Sequence, residues 1–319
     1  MSEPNARWME LVVESLKAED VAAWARERAI PLEELTARRA RFLAAGCEAL
    51  RALEPGERWI QIASALELDP GAARLLDNGL PELIETWIGE GKVIRFAFMH
   101  KPPGLRLRFS SCVPEFRDEL AACSAQWGVG AWSFTFYEPE QYQFGGPRGM
   151  DLAHDYFTIE SIAVLKYKDA MRRGSTNLKD WQFSLLMLHE LLNKVTGDRW
   201  ELWDVWCNMQ LTGRLAAEDL TPPSDLAELR AEMLPFLFDA STATRKMTAR
   251  EGQIWECYKE NVAALVAKIR EAGRTGQLLW PLRQILPFWV VFHWNRMGFG
   301  IERQRRLARA MAVVLSTKW

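Results

Sequence analysis

Between Arg58 and Glu138 the apolar pattern alternates between strand and helix periods, and this alternation limits the folds open to the chain. Trp59 to Leu66 is β-branched and apolar and predicts a strand. Asp69-Pro70 then opens a helical pattern that runs to about Gly89 through Leu75, Leu76, Leu80, Leu83, Ile84 and Trp87. Val93 to His100 is a second strand, Lys101-Pro102-Pro103-Gly104 a turn, and Leu105 to Ser110 a third strand. A helix over Pro114 to Trp127 and a fourth strand over Ala131 to Tyr137 complete the order β-α-β-β-α-β, that of a ferredoxin-like unit.

From Gly149 onward the pattern is helical almost throughout, with breaks near Gly174, Gly197, Pro222-Pro223, Gly273 and Pro281. Thr221 to Glu228 is expected as an exposed loop, with Ser224 capping the next helix. The expected class is therefore α+β: a ferredoxin-like four-stranded antiparallel sheet embedded in a larger, mostly helical composite domain. Residues 1–55 are expected as an N-terminal helical segment and residues 56–319 as the composite domain. Trp200, Trp203 and Trp206 recur every third residue along one helix side, a spacing typical of core.

The net charge of −2 gives no global attraction to nucleic acid or anionic lipid. Neither a nucleic-acid partner nor a membrane partner is expected. The five cysteines are odd in number and lack CxxC spacing, which argues against a disulfide framework or structural zinc. The first thirty residues carry charge throughout, and no apolar run is long enough to span a bilayer, so a cytoplasmic protein is expected.

Several catalytic signatures fail on inspection. His189-Glu190 begins like a zinc-protease helix, but position 193 is Asn, so the second ligand is missing. The four histidines are scattered at positions 100, 154, 189 and 293. No GxGxxG follows a strand, and neither a phosphate-binding GxxxxGK[ST] nor a GxSxG elbow occurs. The expectation is no metal and no cofactor.

What remains handles anions and protons. Arg106 and Arg108 lie two apart on one strand and project to one face, while Leu105, Leu107 and Phe109 face the other. Two adjacent guanidiniums call for an anion or carboxylate between them, supplied either by Glu138 or Glu140 or by a substrate. Tyr137, Glu138, Glu140, Tyr142 and Gln143 crowd before Gly145-Gly146, and carboxylates and phenols are the groups that enolisation and proton relay require. His293, Asn295 and Arg296 precede Gly298 at a predicted helix end, where cations also favour the helix dipole.

Three blocks, KPPGLRLRF (101–109), TFYEPEQYQFGGPRGMDLAHDYFTIESIAVL (135–165) and FHWNRMGFGIE (292–302), resemble the domain of thiopeptide-type bacteriocin biosynthesis proteins and the glutamate-elimination domain of lantibiotic dehydratases. The resemblance runs from about Trp59 to the C-terminus. In eliminating relatives the strand resembling LRLRF carries a catalytic arginine and the last block a catalytic histidine. Those relatives read E-x-x-R-Y-G-G where this chain has Glu140-Gln141-Tyr142-Gln143-Phe144-Gly145-Gly146, so Glu140 is kept and Gln143 replaces the arginine. FTIESIAVL matches F-x-x-D-S-x-A-V-L, with Ser161 either donating to substrate or packing within its helix.

The resemblance, with Gln143, implies a pyridine synthase. Such an enzyme joins two dehydroalanines by a formal aza-[4+2] cycloaddition, then expels water and the leader peptide. Tyr142, Glu140, His293 and Ser161 are the candidates for catalysis. Arg106, Arg108, Gln143, Arg296, Asn295 and Tyr137 are the candidates for substrate binding. The implied partners are a modified precursor peptide with its leader and other biosynthetic enzymes, with a homodimer left open. The elimination subunit of a split dehydratase and a non-catalytic peptide-binding scaffold are the alternatives.

Overall fold

The computed structural model describes residues 3–18, 20–53, 58–65, 75–76, 79–101, 104–127, 132–220 and 226–316. The expected helix start at Asp69-Pro70, the Pro102-Pro103 turn and the Pro222-Pro223 break lie outside them. The chain divides into two units, Met1–Arg58 and Trp59–Trp319. The first holds helices α1 (Glu3–Ser15), α2 (Val21–Glu27) and α3 (Leu32–Leu53) around Val12, Ala25 and Leu35. Asp20 caps α2, its carboxylate accepting from the backbone N–H groups of Ala22 and Ala23.

In the second unit the strands are β1 (Arg58–Ser64), β2 (Arg95–Lys101), β3 (Gly104–Ser111) and β4 (Ser133–Thr135), in the order β2-β3-β1-β4. Helix α4 (Leu80–Gly89) joins β1 to β2, and α5 (Phe116–Gln126) joins β3 to β4. This is the expected ferredoxin-like arrangement, in which the β2–β3 hairpin lies on one side of β1 and β4 on the other. The hairpin pairs antiparallel with Arg106 opposite Met99 and Arg108 opposite Ala97. β1 and β4 also pair antiparallel, with Gln61 opposite Thr135. The fourth strand is shorter than expected, because the chain leaves the sheet after Thr135 to build a loop.

Helices cover the sheet and account for the rest of the unit: α6 (Gly146–Arg172), α7 (Asp180–Thr196), α8 (Arg199–Cys207), α9 (Leu226–Phe238), α10 (Ala240–Thr244), α11 (Ala249–Arg274), α12 (Leu282–Met297) and α13 (Ile301–Leu315). The ends near Gly174, Gly197 and Pro281 fall where the sequence predicts, whereas Pro235 and Pro287 lie inside helices and α10 and α11 start at Asp239 and Thr248 caps. α7 stops at Gly197 (φ 83°) and α12 at Gly298 (φ 76°), both in the left-handed region that glycine enters without steric cost. α11 begins with a capping box in which Thr248 and Glu251 satisfy each other's backbone N–H. The Glu251 carboxylate, fully buried, also accepts from the N–H groups of Asn177 and Leu178, pinning the turn before α7. On α8, Trp203 and Trp206 are buried, and Trp203 Nε1 donates to the Ala312 carbonyl, whereas Trp200 is half exposed.

Candidate functional site

Alternation along β3 sends Leu105, Leu107 and Phe109 into the core and Arg106 and Arg108 to the opposite face, as the sequence predicts. That face, with the loop after β4, forms a cleft of about 380 Å3 lined by Gln61, Lys101, Arg106, Arg108, Phe136, Tyr137, Glu138, Pro139 and Glu140. Three cations therefore share a wall with two carboxylates. Among the described residues no ion pair closes between them, and one carboxylate oxygen of Glu140 is buried without a hydrogen-bond partner.

Arg108 is 4% exposed, and its guanidinium is fixed from behind. Its Nε donates to Gln61 Oε1 at 2.8 Å, and its Cζ lies over the Tyr137 ring, 4.2 Å from the centroid. Gln61 in turn donates to Thr135 Oγ1 and to the Phe136 carbonyl, so β1 holds both the arginine and the loop that faces it. Burial lowers the Arg108 pKa, while Tyr137 and Glu140 favour the charged form. The Tyr137 hydroxyl lies 2.8 Å from His154 Nε2, on α6, and Trp59 packs against both rings. Burial pushes Tyr137 up to about 12 and His154 down to about 3, so both are neutral near pH 7.

A second polar cluster is wholly buried between α6, α7 and α12. Glu160 receives His293 Nδ1 on one oxygen at 2.6 Å and Arg296 Nη1 on the other at 3.2 Å. His293 Nε2 is 2.8 Å from Ser184 Oγ. The Arg296 guanidinium also stacks 4.0 Å over Phe157, which lies parallel to Phe292. Among the described residues its Nε and the hydroxyl of Ser161 have no hydrogen-bond partner. The order Ser184–His293–Glu160 has the hydrogen-bonding pattern of a nucleophilic triad. All three residues have zero exposure, so Ser184 meets no substrate in this state.

The structure thus sorts the sequence candidates into distinct environments. Arg106, Arg108, Tyr137 and Glu140 line one cleft. His293, Arg296 and Ser161 are buried, and Asn295 accepts a hydrogen bond from Gln304 Nε2. Gln143 is exposed. Tyr142 is 68% exposed and does not line the cleft; its ring packs edge-on against Trp280, whose Nε1 donates to the Tyr142 carbonyl. Gln61, His154, Glu160 and Ser184 were not among the candidates. An acid within the apolar run FTIESIAVL is the one local signal that singles out Glu160.

The Gly145-Gly146 turn joins the loop to α6, with φ 82° and 89°. A Cβ on Gly145 would sit 2.4 Å from Ile285 Cδ1, and one on Gly146 would sit 2.8 Å from Leu279. The Gly145 carbonyl accepts from Leu279 N–H at 3.0 Å. Both the left-handed backbone and the close approach require glycine here.

Residues 59–315 match the family described as lantibiotic biosynthesis dehydratase C-term. The chain belongs to that family. Its fold is similar to that of the tRNA-dependent lantibiotic dehydratase MibB from Microbispora sp. 107891, with a TM-score of 0.56 at 18% identity over 81% of this chain. The chain spans 28% of MibB's length. TsrL aligns over 81% of this chain and 93% of its own, with 13% identity and a TM-score of 0.49. No curated protein matches the chain. Among the described residues no helix is long and apolar enough to cross a membrane.

Proposed function

We propose that the chain is a pyridine-forming macrocyclase acting on a modified precursor peptide. It would join two dehydroalanines by a formal aza-[4+2] cycloaddition, with loss of water and of the leader peptide. The observation that carries this reading is the cleft at Arg106, Arg108 and Glu140, whose cations and carboxylates form no ion pair with one another among the described residues. Gln143 at the position of the eliminating relatives' arginine supports cyclisation over glutamate elimination.

The reaction requires one amide to be held as its iminol tautomer while the dienophile approaches. Arg106 and Arg108 would bind the reacting carbonyl oxygens and stabilise charge developing there. Glu140, one of whose oxygens has no hydrogen-bond partner among the described residues, would accept the amide proton and return it to the departing hydroxyl. Holding two dehydroalanines in one cleft supplies the effective concentration that an untethered encounter lacks. His293 and Arg296 would act through the fold beneath.

The test is to incubate the protein with a synthetic azole peptide that carries two dehydroalanines and its leader, and to weigh the products. Loss of water together with the leader supports the cyclase. Loss of glutamate from a glutamylated peptide would assign the elimination subunit instead, and an unchanged mass with measurable binding would assign a scaffold.

A further inference from the structure

Arg108 has five N–H donors, and among the described residues its one hydrogen-bond partner is the Gln61 carbonyl at Nε. One face of the guanidinium is covered by Tyr137. The two Nη groups are left for the cleft, in the flat fork that matches a carbonyl pair or a carboxylate. The orientation of this fork depends on how firmly the Tyr137 ring is held. Tyr137 lies in a loop beyond the short strand β4 and is anchored at its far end by the hydroxyl, 2.8 Å from His154 Nε2.

We infer that His154 is a positioning residue for Arg108: it fixes the Tyr137 ring as the platform under the guanidinium, and the fork so oriented receives a planar oxygen acceptor of the substrate, a peptide carbonyl or carboxylate. His154 is 6% exposed and sits on the rigid helix α6, with Trp59 packed 4.3 Å from its ring. Arg108, Gln61, Tyr137 and His154 come from β3, β1, the loop after β4 and α6, so three elements besides Arg108's own strand converge on its guanidinium. Because burial keeps both His154 and Tyr137 neutral near pH 7, the anchor adds no charge that would compete with the substrate for Arg108. The inference rests on reading the cleft as the substrate site.

The experiment compares the wild type with His154→Leu, His154→Gln and Tyr137→Phe. The Arg108 Nε–H resonance is followed in ligand-free, ¹⁵N-arginine-labelled protein and assigned with Arg108→Lys. KM and kcat are measured with the synthetic dehydroalanine peptide. Stacking on Tyr137 gives the Arg108 side chain a ring-current shift. His154→Leu and Tyr137→Phe move it toward the ordinary arginine position and lower kcat/KM about tenfold. His154→Gln retains a hydrogen-bonding group for the phenol and restores both values toward wild type. Tyr137→Phe deletes a single oxygen, so it decides the matter even if His154→Leu fails to fold. A resonance unmoved in the variants, or moved with an unchanged kcat/KM, overturns the inference. If the wild type turns over no peptide, the proposed function fails, while the resonance still decides whether His154 positions Arg108.

Discussion

Glu160 Oε1 lies 2.6 Å from His293 Nδ1, and neither side chain has any exposed surface. Nδ1 faces the carboxylate and Nε2 the Ser184 hydroxyl, so both ring nitrogens have buried hydrogen-bond partners. The same carboxylate is the sole charged partner of the buried Arg296 among the described residues, so one acid organises both basic groups of the last sequence block. A chain that lost it would hold a buried guanidinium without a counter-charge.

Glu160→Ala is therefore expected to cost about 3–5 kcal/mol, the range for breaking a buried pair by removing one partner. Urea unfolding of the variant beside the wild type measures it. A loss below about 1 kcal/mol would show that water reaches the cluster.

Acid sensitivity follows from three buried histidines. Burial pushes His100 and His154 down to about 3 and His189 down to about 4, from an ordinary value of 6.5. The unfolded chain thus binds protons that the folded one refuses below about pH 6.5. Stability is complete above that value and falls as pH drops through the window, by up to about 1.4 kcal/mol per pH unit for each histidine. Urea midpoints at pH 7 and pH 5 test the sign, and substituting each histidine by Gln should flatten the slope. A midpoint that rises on acidification would contradict the assignment.

Two glycines should respond in opposite directions. Gly252 lies inside α11 with open space where a Cβ would go, so Gly252→Ala should stabilise by up to about 1 kcal/mol. Gly145→Ala combines φ 82° with a 2.4 Å approach to Ile285 and should destabilise by more than about 2 kcal/mol. Thermal melting of both variants gives the comparison.

For Tyr142 the sequence and the structure make different demands. A proton-transferring hydroxyl would make Tyr142→Phe slower by on the order of 10²-fold. The ring is exposed outside the cleft lining and packs on Trp280 through atoms that Phe retains. We therefore expect unchanged thermal stability and a turnover loss under about threefold, measured by product mass against time.

The sheet was legible because alternation along a strand is a local property: the face shared by Arg106 and Arg108 follows from a spacing of two. Helix ends at Gly197 and Gly298 were legible for a similar reason, since the left-handed turn is written in a single residue. Gln61, His154 and Ser184 were not legible, because their importance lies in partners 47, 17 and 109 residues away. Sequence blocks that share a resemblance need not share a solvent environment, and here the arginine strand opens on a cleft while His293 is enclosed behind it.

The Trp280 indole donates to a carbonyl 138 residues earlier, and the side chains of Leu279 and Ile285 fill the space beside Gly146 and Gly145. During synthesis, then, the loop carrying Glu140 lacks its final mould until the segment around Trp280 has left the ribosome. A C-terminal truncation that spares every cleft residue would leave that loop without its template.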